Sequence, residues 1–334
     1  LGRRGVLTVL AARLHGFGDA ADVLRVEAWE PGEPGEGQLL LEMLAAPINP
    51  ADLNVIEGKY GELPELPAII GNEGSGRVIA VGEEVENFKP GDLVAVLKRG
   101  TWCQRMIVNA ADAVLLPEGT DPSQGSMLAV NPTSAFAMIS DIVPLEPGDW
   151  IVQNASNSAV GLSVIQLAKI LGYRTLNVVR RAELVPELKA LGADVVVTED
   201  CDLRSEAGVL CEGKKPRLAL NAVGGASALN LANALEDGGT LVTYGAMGRQ
   251  PLKLPNGLLI FQNLVFRGFW LLKWKQQVSA GRLQEVMAFL AKAVGEGALK
   301  LPVQSTHLLS SVHEAVKEAA GDKRRGKVLL DLTA

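Results

Sequence analysis

The stretch Trp150–Arg181, WIVQNASNSAVGLSVIQLAKILGYRTLNVVRR, decides the fold. A short apolar run, Trp150 to Val152, enters a small polar turn, Ser156-Asn157-Ser158. Val160, Val164, Leu167, Ala168 and Leu171 then recur at helical spacing, Gly172 closes that helix, and a second apolar run spans Thr175 to Val179. Strand, tight turn, helix and strand within about thirty residues make a βαβ unit. Its turn lies where a nucleotide pyrophosphate rests on a helix N-terminus, facing backbone N–H groups and the positive end of the helix dipole.

A dinucleotide turn usually shows G-x-G-x-x-G. This chain keeps Gly161, with Ser158 and Ala159 where further glycines are usual. Small residues still admit a phosphate to the backbone, although a βαβ unit with no ligand has a similar turn. The end of the second strand favours a ligand. NAD sites place Asp or Glu there, about twenty residues past the turn, to hold the ribose 2′-OH. Here stand Arg180 and Arg181. A guanidinium suits a 2′-phosphate, so the pattern favours NADPH over NADH. The alternative is two solvated arginines after a strand.

Outward from this unit, the period changes from two to about 3.6 around Asn131-Pro132-Thr133-Ser134-Ala135. Strand candidates follow at Ile151–Gln153, Thr175–Val179, Val195–Thr198, Leu218–Ala222, Leu241–Tyr244 and Leu264–Phe269, with helical patterns such as Leu184–Leu191 and Ala226–Leu235 between them. This alternation predicts an α/β class with a doubly wound parallel sheet, whose ligand loops lie at the carboxyl ends of the strands. Before it, Val23–Trp29, Leu39–Ala45, Arg77–Val81, Leu93–Val96 and Met106–Val108 read as short strands of a small β-barrel. Asn49 caps a short predicted helix with Pro50 at its first position, Gly58 ends it, and Tyr60 falls on a glycine-flanked loop. After Phe269 the chain predicts a helix over Leu283–Val294, a strand over Leu301–Val303, a final helix over Val312–Ala320, and a tail returning to the first domain.

The chain of 334 residues is long enough for two domains, and its composition is that of a globular protein. A net charge of −6 argues against nucleic acid as the main partner, and no apolar run has the length of a membrane span. Cys103, Cys201 and Cys211 are odd in number and well separated, which suggests a reducing compartment. They do not combine with His15, His307 or His313 at zinc spacing, so no metal is expected. The opening LGRRGVLTVLAA, with two arginines and no acid before Asp19, reads either as the remnant of an organellar transit peptide or as a first strand. An organellar location is the first expectation, mitochondrial by the resemblance described below, with a cytoplasmic one as the alternative.

The segments INPADLN, GNEGSGRVIAVG and KPGDLVAV resemble the medium-chain dehydrogenase/reductase superfamily. Where the zinc-dependent members carry a histidine before the Glu-Gly step, this chain has Asn72, and so resembles the zinc-free branch. The stretches INPADLNVIEGKYGELPELPAIIGNEG, VNPTSAF, VQNASNSAVG, GGTLVTYGAMGRQP and LIFQNLVFRGFWLLKWK are similar to the mitochondrial trans-2-enoyl-thioester reductases of that branch. The resemblance implies a GroES-like β-barrel domain, residues 1–124 and 270–334, flanking a Rossmann domain, residues 125–269, with the active site in the cleft between them. It implies NADPH-dependent reduction of trans-2-enoyl thioesters of coenzyme A or acyl carrier protein, the last reductive step of type II fatty acid synthesis.

The resemblance also carries roles onto residues. Hydride to the β carbon leaves negative charge on the thioester carbonyl and α carbon, so the reaction needs a donor and a proton. The family's catalytic tyrosine falls on Tyr60. Asn131 would bond near the nicotinamide ribose or the active site, and Asn157, Ser158, Ala159 and Val160 would cradle the pyrophosphate. Arg180 and Arg181 would hold the 2′-phosphate, with Ala182 where the family often has a third basic residue. Tyr244, Gly245, Ala246 and Met247 would approach the nicotinamide, Phe269, Trp270 and Leu271 would wall the cleft, and Lys327 would return to the site from the tail. Lys273, Lys275, Arg324 and Arg325 would meet coenzyme A phosphates or an acidic carrier protein, unless they are simply solvated. The loop before Gly100-Thr101-Trp102 is shorter than in the family, which bears on acyl length. The sixth strand, at the sheet edge, would pair two subunits into a homodimer. Two other readings remain at this point, an NADPH quinone or enone reductase and a non-catalytic NADPH-binding protein.

Overall fold

The computed structural model describes residues 9–321 and 324–333. Most of the opening arginine-bearing segment therefore lies outside the described residues. The chain divides into two compact units, one running to Val130 and resuming at Met287, the other spanning Asn131–Val286. Relative to the sequence division, residues 125–130 join the first unit and 270–286 the second. In the first, a short helix at Pro122–Ser126 packs on three of the strands; in the second, the helix at Leu271–Gln277 packs on that at Asn131–Ser140.

The chain opens with β1 (Val9–Leu14), α1 (Ala20–Val23), β2 (Leu24–Trp29), β3 (Gln38–Pro47), α2 (Pro50–Ile56), β4 (Ala68–Ile69), β5 (Gly74–Val81), β6 (Leu93–Val96), β7 (Arg105–Asn109), β8 (Ala113–Leu115) and α3 (Pro122–Ser126). The second unit then supplies α4 (Asn131–Ser140), β9 (Trp150–Gln153), α5 (Ala159–Leu171), β10 (Arg174–Val179), α6 (Val185–Ala190), β11 (Val195–Thr198), α7 (Leu203–Leu210), β12 (Leu218–Asn221), α8 (Gly225–Ala234), β13 (Thr240–Thr243), α9 (Asn256–Phe261), β14 (Val265–Gly268) and α10 (Leu271–Gln277). The helix α11 (Ala280–Gly295) leads back to the first unit, which ends in β15 (Val303–Leu308), α12 (Val312–Ala320) and β16 (Lys327–Asp331).

In the first unit, β1 lies between β2 and β4, and a larger sheet runs β15-β16-β3-β5-β6-β8, with β7 also paired to β3. The return of the tail is visible in β16, which pairs antiparallel with β3 through Leu329–Pro47 and Leu330–Ala46. The strand expected at Leu301–Val303 begins only at Val303 and extends to Leu308. Pro302 cannot donate to a ladder, and its carbonyl instead accepts the Lys327 N–H.

The second unit is a parallel sheet in the order β11-β10-β9-β12-β13-β14, which is the doubly wound order with its switch point between β9 and β12. Every residue of β9 and β12 is buried, so both faces of these central strands are covered. Ile151, Val152, Leu218 and Leu220 have no exposed surface, and burying each such side chain stabilises the fold by about 1.5–3 kcal/mol. Against the sheet, α5 buries Leu162, Val164, Ile165, Leu167 and Ala168. It ends at Gly172 in the left-handed region, φ 79°, where a side chain would be strained.

Candidate active site

The candidate cofactor turn lies at the carboxyl end of β9. The turn after Gln153 puts Ala155 at φ 48° and exposes Asn157. Ser158 is the N-cap of α5, and its hydroxyl accepts the Gly161 N–H at 3.1 Å. Ala159, Val160 and Gly161 form the first helical turn, whose N–H groups lack intrahelical partners and attract an anion. Gly161 is required by contact. A Cβ there would lie 2.6 Å from the Ser156 carbonyl oxygen and 2.7 Å from the carbon atoms beside it, all backbone. The glycine thus sets how closely helix and turn approach.

Arg180 and Arg181 follow β10 directly. Arg180 is exposed, and Arg181 pairs with Glu183 at 3.3 Å. No acid stands at the end of this strand, where a ribose diol would be held. At the end of β13, the Tyr244 hydroxyl is buried beside Ser158 without a well-formed hydrogen bond. Burial pushes the phenol up, and Ser158 offsets only part of that rise. An enclosed hydroxyl beside the N-cap of α5, short of a well-formed hydrogen bond, suits a polar ligand. Gly245 is half-buried, and Ala246 and Met247 are exposed on the loop beyond. Phe269 and the N-cap residue Trp270 precede α10, which begins at Leu271; all three are half-buried. Trp274 Nε1 and Arg282 Nη2 both donate to Asp141, at 3.0 and 2.8 Å, and hold α10 and α11 to the end of α4. Asn131 opens α4 and is buried.

A network that the sequence reading passed over sits at the switch point. The Asn154 amide donates to Asn221 Oδ1 and Ser227 Oγ, each at 2.9 Å, and accepts the Ala222 N–H at 2.7 Å. Asn221 donates to Thr243 Oγ1 at 3.1 Å and accepts the Val223 and Gly224 N–H groups. These amides fix the loop Ala222–Gly225 to the ends of three strands. The available signal was a polar residue ending each apolar strand.

Tyr60 belongs to the other unit. The α2 helix begins at Asn49 with Pro50 inside its first turn, and Gly58, at φ 72°, turns the chain just past its end. Tyr60 is half-buried against the barrel core, and the Arg99 guanidinium lies over its ring, 5.8 Å from the centroid. Arg99 also pairs with Glu62 at 3.4 Å. It comes from the loop before Gly100, and nothing in its sequence context marked it as the neighbour of Tyr60.

Lys327 does reach inward from the tail. It opens β16, is 5% exposed, and donates to Asn49 Oδ1. Burial pushes its ammonium down to about 8, against the pull of the Glu73 and Asp52 carboxylates. Lys273 and Lys275 ride on α10, whereas Arg324 and Arg325 precede β16 in the first unit. The four thus do not form one local patch within a unit. Arg324 Nε donates to the Gly321 carbonyl at 3.1 Å.

Residues 35–127 match the family model of the alcohol dehydrogenase GroES-like domain, and residues 159–292 match that of the zinc-binding dehydrogenases. The mitochondrial enoyl-[acyl-carrier-protein] reductase of Rattus norvegicus is 42% identical over 308 residues, 90% of this chain and 82% of that protein. The chain belongs to the enoyl-thioester reductase family. Among solved structures, the Etr1p complex with NADP and crotonyl-CoA is 30% identical, with a TM-score of 0.87 over 97% of this chain and all of that one. A putative NADPH:quinone reductase from Bacillus thuringiensis is also 30% identical, with a TM-score of 0.89 over 97% of this chain and 99% of that one. Although one matching model is named for zinc, no group of three or more His, Cys, Asp or Glu among the described residues is placed to hold a metal ion. Asn72, where zinc-dependent relatives have histidine, donates to Asp52 Oδ1 at 2.6 Å.

Proposed function

We propose that this reductase reduces trans-2-enoyl thioesters of coenzyme A or acyl carrier protein to saturated acyl thioesters with NADPH. The observation that carries the reading is 42% identity, over nine-tenths of the chain, to mitochondrial enoyl-[acyl-carrier-protein] reductases. It works in the mitochondrion, as those relatives do, in type II fatty acid synthesis.

The chain's own residues fit the cofactor. Asn157, Ser158, Ala159 and Val160 present a capped helix N-terminus to the pyrophosphate, Gly161 keeps that turn close, and Arg180 and Arg181 take the 2′-phosphate. Tyr244 lends its enclosed hydroxyl, Gly245, Ala246 and Met247 line the nicotinamide side, and Asn131 bonds near its ribose. Phe269, Trp270 and Leu271 form an apolar wall that excludes water. Bound NADPH supplies the hydride that reaches the β carbon. Tyr60 then holds its hydroxyl toward the charge that develops on the thioester and gives its proton to the α carbon, recovering one from solvent. Arg99 over the Tyr60 ring stabilises the phenolate left by that transfer. Lys327 acts through Asn49 rather than as a free cation.

We also propose a homodimer through β14. This strand pairs with β13 on one side only; its own Val265 is 49% exposed, and Ile260 and Phe261, which end the preceding helix α9, are 69 and 83% exposed. An apolar edge of that kind favours pairing with a second copy.

The test is loss of NADPH absorbance with trans-2-hexenoyl-CoA, for the wild type and Tyr60→Phe. Turnover that collapses in the variant with NADPH still bound supports both reaction and donor. Turnover that survives removes Tyr60 from its role. Activity on a quinone alone would move the protein to the reading favoured by the likeness to the Bacillus thuringiensis structure.

A further inference from the structure

Four buried polar side chains meet in the first unit, among residues of its apolar core such as Ile48 and Val328. Asn49, Asp52 and Glu73 are exposed by 1, 1 and 0%, and Lys327 by 5%. Asp52 reaches back from the first turn of α2 to accept the Asn49 N–H at 2.7 Å, and its other oxygen accepts from Asn72. The Asn49 amide is held at both ends. Its oxygen accepts from Lys327, and its nitrogen donates to Glu73 Oε1 at 2.8 Å. The second Glu73 oxygen accepts the Val130 N–H at 2.8 Å. Val130 is the residue before Asn131, and Asn49 begins the short helix that ends four residues before Tyr60.

We propose that Glu73 is a positioning residue for the reduction: its carboxylate, through Asn49 and Val130, fixes the two chain segments that carry Tyr60 and Asn131. The proposal rests on the reductase reading and extends it to a residue that touches neither substrate nor cofactor. Both donors need an acceptor, and an ionised carboxylate offers each an oxygen that carries no hydrogen. A protonated Glu73 turns a hydroxyl toward one of them. Glu73→Gln does the same permanently, with an NH₂ facing a donor. The Asn49 amide cannot flip to compensate, because its oxygen is held by Lys327.

The charges around Glu73 place this change near neutrality. Burial pushes its carboxyl up to about 7, with Lys327 opposing and Asp52 adding to the rise. Burial likewise raises Asp52 to about 6. Arg324 stands beyond Lys327. Two carboxylates and one ammonium carry a net buried negative charge when all are ionised, so the cluster takes up a proton as pH falls through neutrality.

The experiment is a pH profile of kcat and KM with trans-2-hexenoyl-CoA for the wild type, Glu73→Gln and Asp52→Asn, with NADPH affinity and unfolding midpoint measured alongside. In the wild type kcat is expected to fall as pH drops through neutrality. Glu73→Gln should bind NADPH and stay folded, yet lose about tenfold or more in kcat, since small misplacements of reacting groups cost that much. Its profile should be flat where the wild type has its limb. Asp52→Asn removes a neighbouring negative charge and should shift the limb to lower pH, a readout that holds even where Glu73→Gln folds poorly. A folded Glu73→Gln enzyme with wild-type kcat and limb, or an unmoved limb in Asp52→Asn, overturns the proposal. Wild-type protein with no enoyl-thioester turnover would instead overturn the reductase reading.

Discussion

Replacing Gly161 by alanine should unsettle both the fold and the cofactor turn. The new Cβ would stand 2.6 Å from the Ser156 carbonyl oxygen, against backbone atoms that have no rotamer to yield. Restoring ordinary contact requires α5 and the turn to separate by about 0.8 Å. Forced packing of this kind costs about 1–3 kcal/mol, and alanine's better helix propensity returns less than about 1 kcal/mol, so a net loss of about 1–2 kcal/mol is expected. The same displacement lengthens the Ser158–Gly161 cap bond, already 3.1 Å, and moves the N–H groups at the start of α5 that are proposed to hold the pyrophosphate. NADPH affinity should therefore fall about tenfold, or about 1.4 kcal/mol. Gly208, inside α7, is the control. A Cβ there meets nothing within 4 Å, so Gly208→Ala should stabilise by about 0.5–1 kcal/mol. Urea unfolding and fluorescence titration with NADPH measure both quantities. Gly161→Ala protein with wild-type stability and affinity would refute the reasoning, and so would equal effects at the two glycines.

Other substitutions test separate parts of the structure. Ser158→Ala removes the α5 cap and should cost about 1 kcal/mol of stability, read from the unfolding midpoint. Glu73 keeps a proton in the folded state from an ordinary 4.5 up to about 7, while the unfolded chain has released it. Stability from this group is thus complete below pH 4.5 and lost as pH rises toward 7. Wild type should lose more stability than Glu73→Gln across that window in urea titrations, and parallel curves would count against the assignment. Phe261→Asp on the face beside β14 should yield a monomer by sedimentation, with the fold intact by circular dichroism. A variant that sediments as the wild type would dismiss that edge as the interface.

Much was legible in the chain because its signals are local. The alternation from Asn131 onward, the small turn at Ser156–Ser158 and Gly172 determined a βαβ unit, and six apolar runs determined the six strands of a doubly wound sheet. Local sterics and periodicity set these features with little help from distant residues. Asn49 with Pro50, and Gly58 after them, likewise marked a helix and the turn that presents Tyr60. Tertiary structure alone decided which polar groups meet. Glu73 and Asn49 are 24 residues apart, Lys327 and Asn49 are 278 apart, and Asn154 and Asn221 are 67 apart. Arg99 over Tyr60 and the capture of α10 by Asp141 are of the same kind. No periodicity encodes such pairings. A buried polar group must find its partner wherever the packed backbone delivers one, and that choice exists only once the strands are assembled.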